Sequence, residues 1–459
     1  MGFEGEFANY EPLRRLLDSE KVKKLQSRMK IRGRTEETDE FNGDIVKKED
    51  ISESNLRPDL VLAIDGSSLA VKVQNGFPGA ELGYVTVASV LIDLKKVDEL
   101  GKNDFIDPKK FRKTEKASTI ESVFPGCNII IDSEKSARAS MRKTLFEELS
   151  STQVFTDGET LLDTYEWLLK KREEKIGAGK EFDERNLPKS PIEGFSDRDM
   201  TYGYGTYACP HSGQALYSTD ALRLHELMRT SGSNGEMYGQ IMATLEKLLL
   251  IHILRAFEQK GWLATLRRVA LIMDGPLAVF STSSWLTKAI SYELSRINEE
   301  QKKVNKLDLL LLGIEKSGTF FNHFQEIDTT KDGIEGKFPK QSAFLLKDAY
   351  IKKNIIYSES TKPYGQDTYF GRKFFYKVKS GQKIVPVLAC YTDAQKDVST
   401  SNVNQFSRLG DVMNLLDTLV SSRYPNSVSP LISAHAEAAI PLNLGKRIFE
   451  DIAKEIRDY

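Results

Sequence analysis

The sequence predicts an α/β fold: a mixed sheet with flanking helices, carrying a charged helical insertion. Apolar, β-branched runs closed by Asp-Gly occur twice, ending in Ile64-Asp65-Gly66 and in Met273-Asp274-Gly275, and each has the composition of a buried strand. Apolar residues at helical spacing recur between such runs, above all over 235–259. Strands mixed with helices in this order form one sheet with helices laid on it. A chain of 459 residues, 40% of them hydrophobic, has room for a large core and an insertion.

In chain order, residues 1–57 form a charged helical region, with Leu13, Leu16, Leu17, Val22 and Leu25 as its apolar points, and then an acidic polar stretch over 36–53 that reads as a linker or solvated loop. The core opens over 58–131. Its first strand ends at Asp65, turn chemistry follows at Asn75-Gly76-Phe77-Pro78-Gly79, and the β-branched run 83–93 makes the opening a hairpin or meander. Residues 132–218 are richly charged and read as an inserted set of helices and loops, with 170–175 a solvated run. The rest of the core, 219–459, begins with the long helix 235–259, ended by Gly261-Trp262, and the Asp274 strand follows it. Then come a helix over 284–302, strands over 309–314 and 383–388, and a terminal helix marked by Ile448, Ile452 and Ile456.

Composition narrows the function classes. A formal net charge of −1 means that a nucleic-acid partner must be met by local basic patches, since there is no global field to attract it. Three scattered cysteines, Cys127, Cys209 and Cys390, fit a reducing compartment and exclude a Cys₄ zinc site within the chain. The acidic start lacks a signal-peptide core and no apolar run reads as a membrane span, so the expected location is the cytoplasm, without membrane contact. A phosphate-binding G-x-x-x-x-G-K-[ST] loop is missing, as are G-x-S-x-G and H-E-x-x-H.

A carboxylate at the end of a buried strand is costly unless paired. If the strands of Asp65 and Asp274 are neighbours, the two carboxylates converge and call for a cation, in the oxygen-rich setting that Mg²⁺ or Mn²⁺ prefers. The plainer reading is that each Asp only starts a turn. Glu246 has Met242, Leu249, Leu250 and Ile253 around it on one helical face, where Glu is rare unless it is paired or binds metal. Its plainer reading is a rim residue paired with Lys or Arg, and Glu236 and Glu258 are rivals on the same helix. His435 lies among small residues that let a helix pack closely and offer an imidazole as ligand or proton shuttle. Lys316, just past a buried strand, is placed either to steady a phosphate or to pair with a nearby carboxylate. Cys209-Pro210-His211 has the look of half a zinc knuckle without partners. Two basic segments suit a nucleic-acid backbone: one holds Lys109 and Lys110, the other interleaves Arg372, Lys373 and Tyr376 with further aromatics. The second reads equally as an edge strand guarded by Lys.

Taken in order, Ile64-Asp65-Gly66-Ser67, the helix with Glu246, Met273-Asp274-Gly275-Pro276-Leu277, Lys316-Ser317 and Ala434-His435 resemble the NurA nuclease family. The likeness runs from about residue 58 to the C-terminal helix, the insertion excepted, and its specificity lies in the order of the set. The resemblance implies a ribonuclease H-like core, Mn²⁺- or Mg²⁺-dependent cleavage of DNA, a homodimer, and partnership with a HerA-type hexameric ATPase in DNA-end processing or phage defence. Asp65, Glu246, Asp274 and His435 look like the family's metal-site residues, with Lys316 beside the phosphate. A non-catalytic subunit that clamps DNA or regulates a translocase is the alternative, and an RNA nuclease a third reading. The apolar points within 10–29 are a candidate docking element for the motor.

Overall fold

The computed structural model describes residues 11–29, 45–54, 57–73, 79–95, 115–132, 134–155, 158–177, 189–196, 198, 203–280, 284–329, 336–420 and 429–439. It divides into two units, Met1–Asp44 and Ile45–Tyr459. The first contains α1 (Glu11–Asp18) and α2 (Glu20–Gln26), on which Leu13, Leu16, Leu17 and Leu25 are exposed.

The second unit is built on a nine-stranded mixed sheet. Its strands are β1 (Ile45–Lys47), β2 (Leu60–Lys72), β3 (Glu81–Asp93), β4 (Glu115–Pro125), β7 (Val269–Asp274), β8 (Leu310–Glu315), β9 (Ser342–Leu345), β10 (Gly371–Lys377) and β11 (Lys383–Ala389). They lie in the order β1-β9-β10-β11-β8-β7-β2-β3-β4, and a separate two-stranded ribbon pairs β5 (Thr206–Ala208) with β6 (Ala215–Tyr217). β2 does not end at Asp65 as expected but runs on through Gly66 to Lys72, still paired with β3. β2, β3 and β4 form the expected antiparallel meander, whereas β2, β7 and β8 run parallel. Parallel strands need crossovers, and α5 (Gly235–Gln259) and α6 (Ser284–Asn305) precede and follow β7 to supply them.

Alternation along the strands assigns the layers. Leu60, Leu62, Ile64, Leu271, Met273 and Leu311 pack into a core shared with α5, α6, α3 (Ala137–Ser151) and α4 (Leu161–Gly177). Val61, Ala63, Ala270, Ile272, Leu310, Leu312 and Ile314 face the other way, against α8 (Leu409–Leu419) and α9 (Ser429–Ala438). The period of two therefore produces a helix–sheet–helix sandwich. On the first side, α7 (Thr319–Asp328) stacks Phe324 on Phe375 at 4.6 Å.

Several expectations change. Part of the predicted 36–53 loop is the edge strand β1, paired with β9; the rest up to residue 44 lies outside the described residues, as does the terminal helix of Ile448, Ile452 and Ile456. The 170–175 run is not wholly solvated, because Arg172 is buried. α5 is long and apolar enough to cross a membrane by length and composition, but 78% of its apolar window is buried within the protein, as in a core helix.

Candidate active site

The parallel pairing of β2 with β7 ends at Ile64↔Met273, so Asp65 and Asp274 come next in the same register. On the far side of β7, Asp274 pairs with Ile314 of β8. Gly275, at φ +73°, turns the chain out of the sheet immediately after Asp274, a left-handed conformation that favours glycine. Each aspartate accepts the backbone N–H of the glycine behind it, Asp65 Oδ1 at 2.8 Å and Asp274 Oδ1 at 3.1 Å. By alternation Asp65 follows Val61 and Ala63, Asp274 follows Ala270 and Ile272, and Lys316 follows Leu312 and Ile314, all toward the α8/α9 layer. His435 of α9 reaches the same place, with Nδ1 3.1 Å from Asp65 Oδ2.

Glu246 arrives from the opposite layer. At Gly66 the strand faces α5, and a Cβ there would lie 2.7 Å from both Glu246 Oε1 and Met242 Cγ. Glycine thus leaves the opening through which a carboxylate from the α5 layer approaches the aspartates. Glu246 is buried, as is Lys247, whose Nζ stands 2.7 Å from Glu246 Oε2. Both rival glutamates are elsewhere: Glu236 is exposed near Arg229, and Glu258 accepts two hydrogen bonds from Arg296.

Burial raises the Asp65 carboxyl to about 8, the charges of Asp274 and Glu246 add to the shift, and Lys316 opposes it. Lys316 Nζ lies 2.9 Å from Asp274 Oδ1, so its alternative reading as a salt-bridge partner holds. Asp65, Glu246 and Asp274 line one cleft of about 240 Å³, with Met242 and Ala243 of α5 on one wall and Pro276, Val279 and Phe280 on the other. Among the described residues, no group of three or more His, Cys, Asp or Glu side chains is already gathered to hold an ion. The carboxylate oxygens are instead partnered by Lys247, Lys316 and His435. The donor chemistry nevertheless suits a hard divalent cation: three carboxylates share one cleft, and burial, with the neighbouring Asp274 and Glu246 charges, makes Asp65 retain its proton to about 8.

The second basic segment is not a nucleic-acid surface. Arg372, Lys373 and Tyr376 are buried in β10, an interior strand and therefore no guarded edge. Arg372 donates to the carbonyls of Leu346, Asp397 and Thr400, Lys373 pairs with Glu315 at 2.6 Å, and Tyr376 donates to Asp417. The cations and the tyrosine are satisfied inside the protein by carbonyls and carboxylates from elsewhere in the chain, a state that the pattern alone does not distinguish from a solvent-facing groove. Lys109 and Lys110 lie outside the described residues. Cys209 is buried, and the His211 ring stacks on Phe195, so no knuckle is formed there. His225 is buried beside Asp220, His252 meets Thr164, and His323 meets Tyr350, all apart from the carboxylate cleft.

Lys247 was missed. Its helical neighbours Ala243, Leu250, Ile251 and Leu254 are as apolar as those that single out Glu246, so the same test would have found it.

A family model described as "NurA domain" matches residues 59–440. Among solved structures, the crystal structure of the NurA nuclease from Sulfolobus solfataricus is similar at 14% identity and a TM-score of 0.33, covering 98% of this chain and 97% of that one. A crystal structure of NurA has 12% identity and a TM-score of 0.28, with 98% of each chain covered. A crystal structure of NurA with manganese has 12% identity and a TM-score of 0.32, covering 97% and 98%. No curated protein matches the chain.

Proposed function

This chain belongs to the NurA domain family, and we propose that it is a divalent-metal-dependent deoxyribonuclease that hydrolyses DNA phosphodiester bonds. The observation that carries the reading is the shared register of Asp65 and Asp274 at the end of the Ile64↔Met273 pairing, with Glu246 in the same cleft. The ribonuclease H-like reading of the core draws support from the antiparallel β2-β3-β4 meander continued by parallel β7 and β8.

Asp65, Asp274 and Glu246 would hold Mn²⁺ or Mg²⁺, with His435 as a further ligand or a proton donor. When bound, such an ion supplies positive charge against the phosphate as charge builds on it during in-line cleavage. Lys316 steadies a phosphate oxygen from the Asp274 side, and Lys247 orients Glu246. His435 has one ring nitrogen engaged with Asp65, which leaves the other to pass a proton to the leaving oxygen. The non-catalytic alternative, a subunit that clamps DNA or regulates a translocase, draws on the lysine pairs at Asp274 and Glu246, which would then be structural salt bridges.

The partner we propose is a HerA-type hexameric ATPase, with the nuclease acting as a homodimer in DNA-end processing or anti-phage defence. The sequence has no nucleotide-binding loop, and the exposed Leu13, Leu16, Leu17 and Leu25 provide an apolar docking stripe. Three free cysteines suit a cytoplasmic setting. The direct test is cleavage of labelled single- and double-stranded DNA by the purified chain in Mn²⁺, Mg²⁺ or EDTA, alone and with the ATPase and ATP. Cleavage abolished by EDTA and by Asp65→Asn is the expected result; no cleavage in either metal, with or without the motor, overturns the nuclease reading.

A further inference from the structure

Phe280 lines the carboxylate cleft and is 56% exposed. Only its edge-to-face contact with Tyr369 is visible among ring contacts of the described residues, at 5.6 Å and 82°. The residues leading into it are held by the backbone: Val279 donates its N–H to the Thr368 carbonyl at 2.9 Å, Phe370 donates to the Leu277 carbonyl at 2.9 Å, and Ala278 bridges Tyr369. Tyr369 is in turn tied to Tyr364 by a hydroxyl contact of 3.1 Å. An exposed Phe exacts a hydrophobic penalty, and here the ring is held on a braced loop beside the groups that carry the chemistry. Stacking on an exposed aromatic face is how a single strand is held without regard to sequence.

We propose that Phe280 is a base-stacking residue: it seats an unpaired nucleobase next to the scissile phosphate and so orders that phosphate over Asp65, Glu246 and Asp274. The proposal rests on the nuclease reading of the same cleft. A base still paired within a duplex has both faces covered by its neighbours, so Phe280 selects single-stranded segments and frayed ends.

The test uses the full chain with Mn²⁺ and end-labelled single-stranded oligonucleotides, either intact or carrying one abasic nucleotide beside the cut. With the wild-type protein the abasic nucleotide should lower kcat/KM about tenfold or more, the size of one lost base–aromatic stack. Phe280→Ala should lose about as much on intact DNA and show no further abasic penalty, whereas Phe280→Trp should restore both the rate and the penalty. Phe280→Leu, which keeps apolar bulk, separates stacking from packing and should behave like Phe280→Ala. An unchanged rate in Phe280→Ala, or a persisting abasic penalty, overturns this proposal and leaves the nuclease reading standing. Absence of cleavage by the wild-type protein on every DNA overturns both.

Discussion

His435 Nδ1 lies 3.1 Å from Asp65 Oδ2 across a separation of 370 residues. The imidazole is half exposed while the carboxylate is buried, so the contact joins a solvent-facing group to the interior of the site. His435→Ala should therefore lower the cleavage rate on the order of 100-fold with DNA affinity nearly unchanged, since a proton donor acts chiefly in the transition state. Equal losses in single-turnover rate and in a binding titration would contradict the assignment.

The Asp65 carboxyl is raised from 3.8 to about 8, chiefly by burial and then by the charge of Asp274. Between those values the folded protein holds a proton that the unfolded chain has lost, so this group's contribution is complete below about pH 4 and disappears as pH rises through about 8. In EDTA, Asp65→Asn should flatten that slope and melt above the wild type at pH 9. Metal entry must expel the proton, so Mn²⁺ should bind more tightly as pH rises toward 8 and release a proton as it does so. Calorimetry in buffers of different ionisation enthalpy measures the release; binding without proton exchange at pH 6 would remove Asp65 from the ligand set.

Asp274→Asn and Glu246→Gln should each cut activity on the order of 10²–10³-fold while the protein stays folded. Glu236→Gln and Glu258→Gln should retain cleavage, because neither carboxylate reaches the cleft. A thermal melt run beside each rate separates loss of chemistry from loss of fold.

Gly66→Ala places a methyl group 2.7 Å from Glu246 Oε1. The helix or its side chain must retreat, which should cost about 1–3 kcal/mol of stability as overpacking and move Glu246 away from the aspartates. Cleavage should fall further than stability explains. Wild-type activity in a folded Gly66→Ala protein would show that Glu246 need not approach through this opening.

Lys373 and Glu315 form a buried pair at 2.6 Å. Lys373→Ala leaves the carboxylate unpartnered and should destabilise the fold by about 3–5 kcal/mol, the usual result of breaking a buried pair. Because no phosphate contact is lost, the salt dependence of DNA binding should keep its slope. A flattened slope in a protein of unchanged melting temperature would return β10 to the nucleic-acid surface.

Local order in the sequence determined the elements: the 235–259 helix, the meander that opens the core, and the strands ending at Asp274 and near Ile314 follow from periodicities of 3.6 and 2, although the Gly66 expected to close the first strand lies within it. It also named two aspartates that converge if their strands are neighbours, and the condition was met. Tertiary structure decided everything that depends on which face meets which. Gly66 is a small residue in a strand until α5 lies over it, and then it is the opening for Glu246. Lys247 stands next to Glu246 in sequence, but its burial and its place in a cleft shared with Asp65 and Asp274 come from folding, and the cations of β10 are withdrawn from solvent by Glu315 and by carbonyls distant in sequence. The physical reason is the same in each case: backbone periodicity is set by near neighbours along the chain, whereas burial, charge pairing and access to solvent are set by residues that only folding brings together.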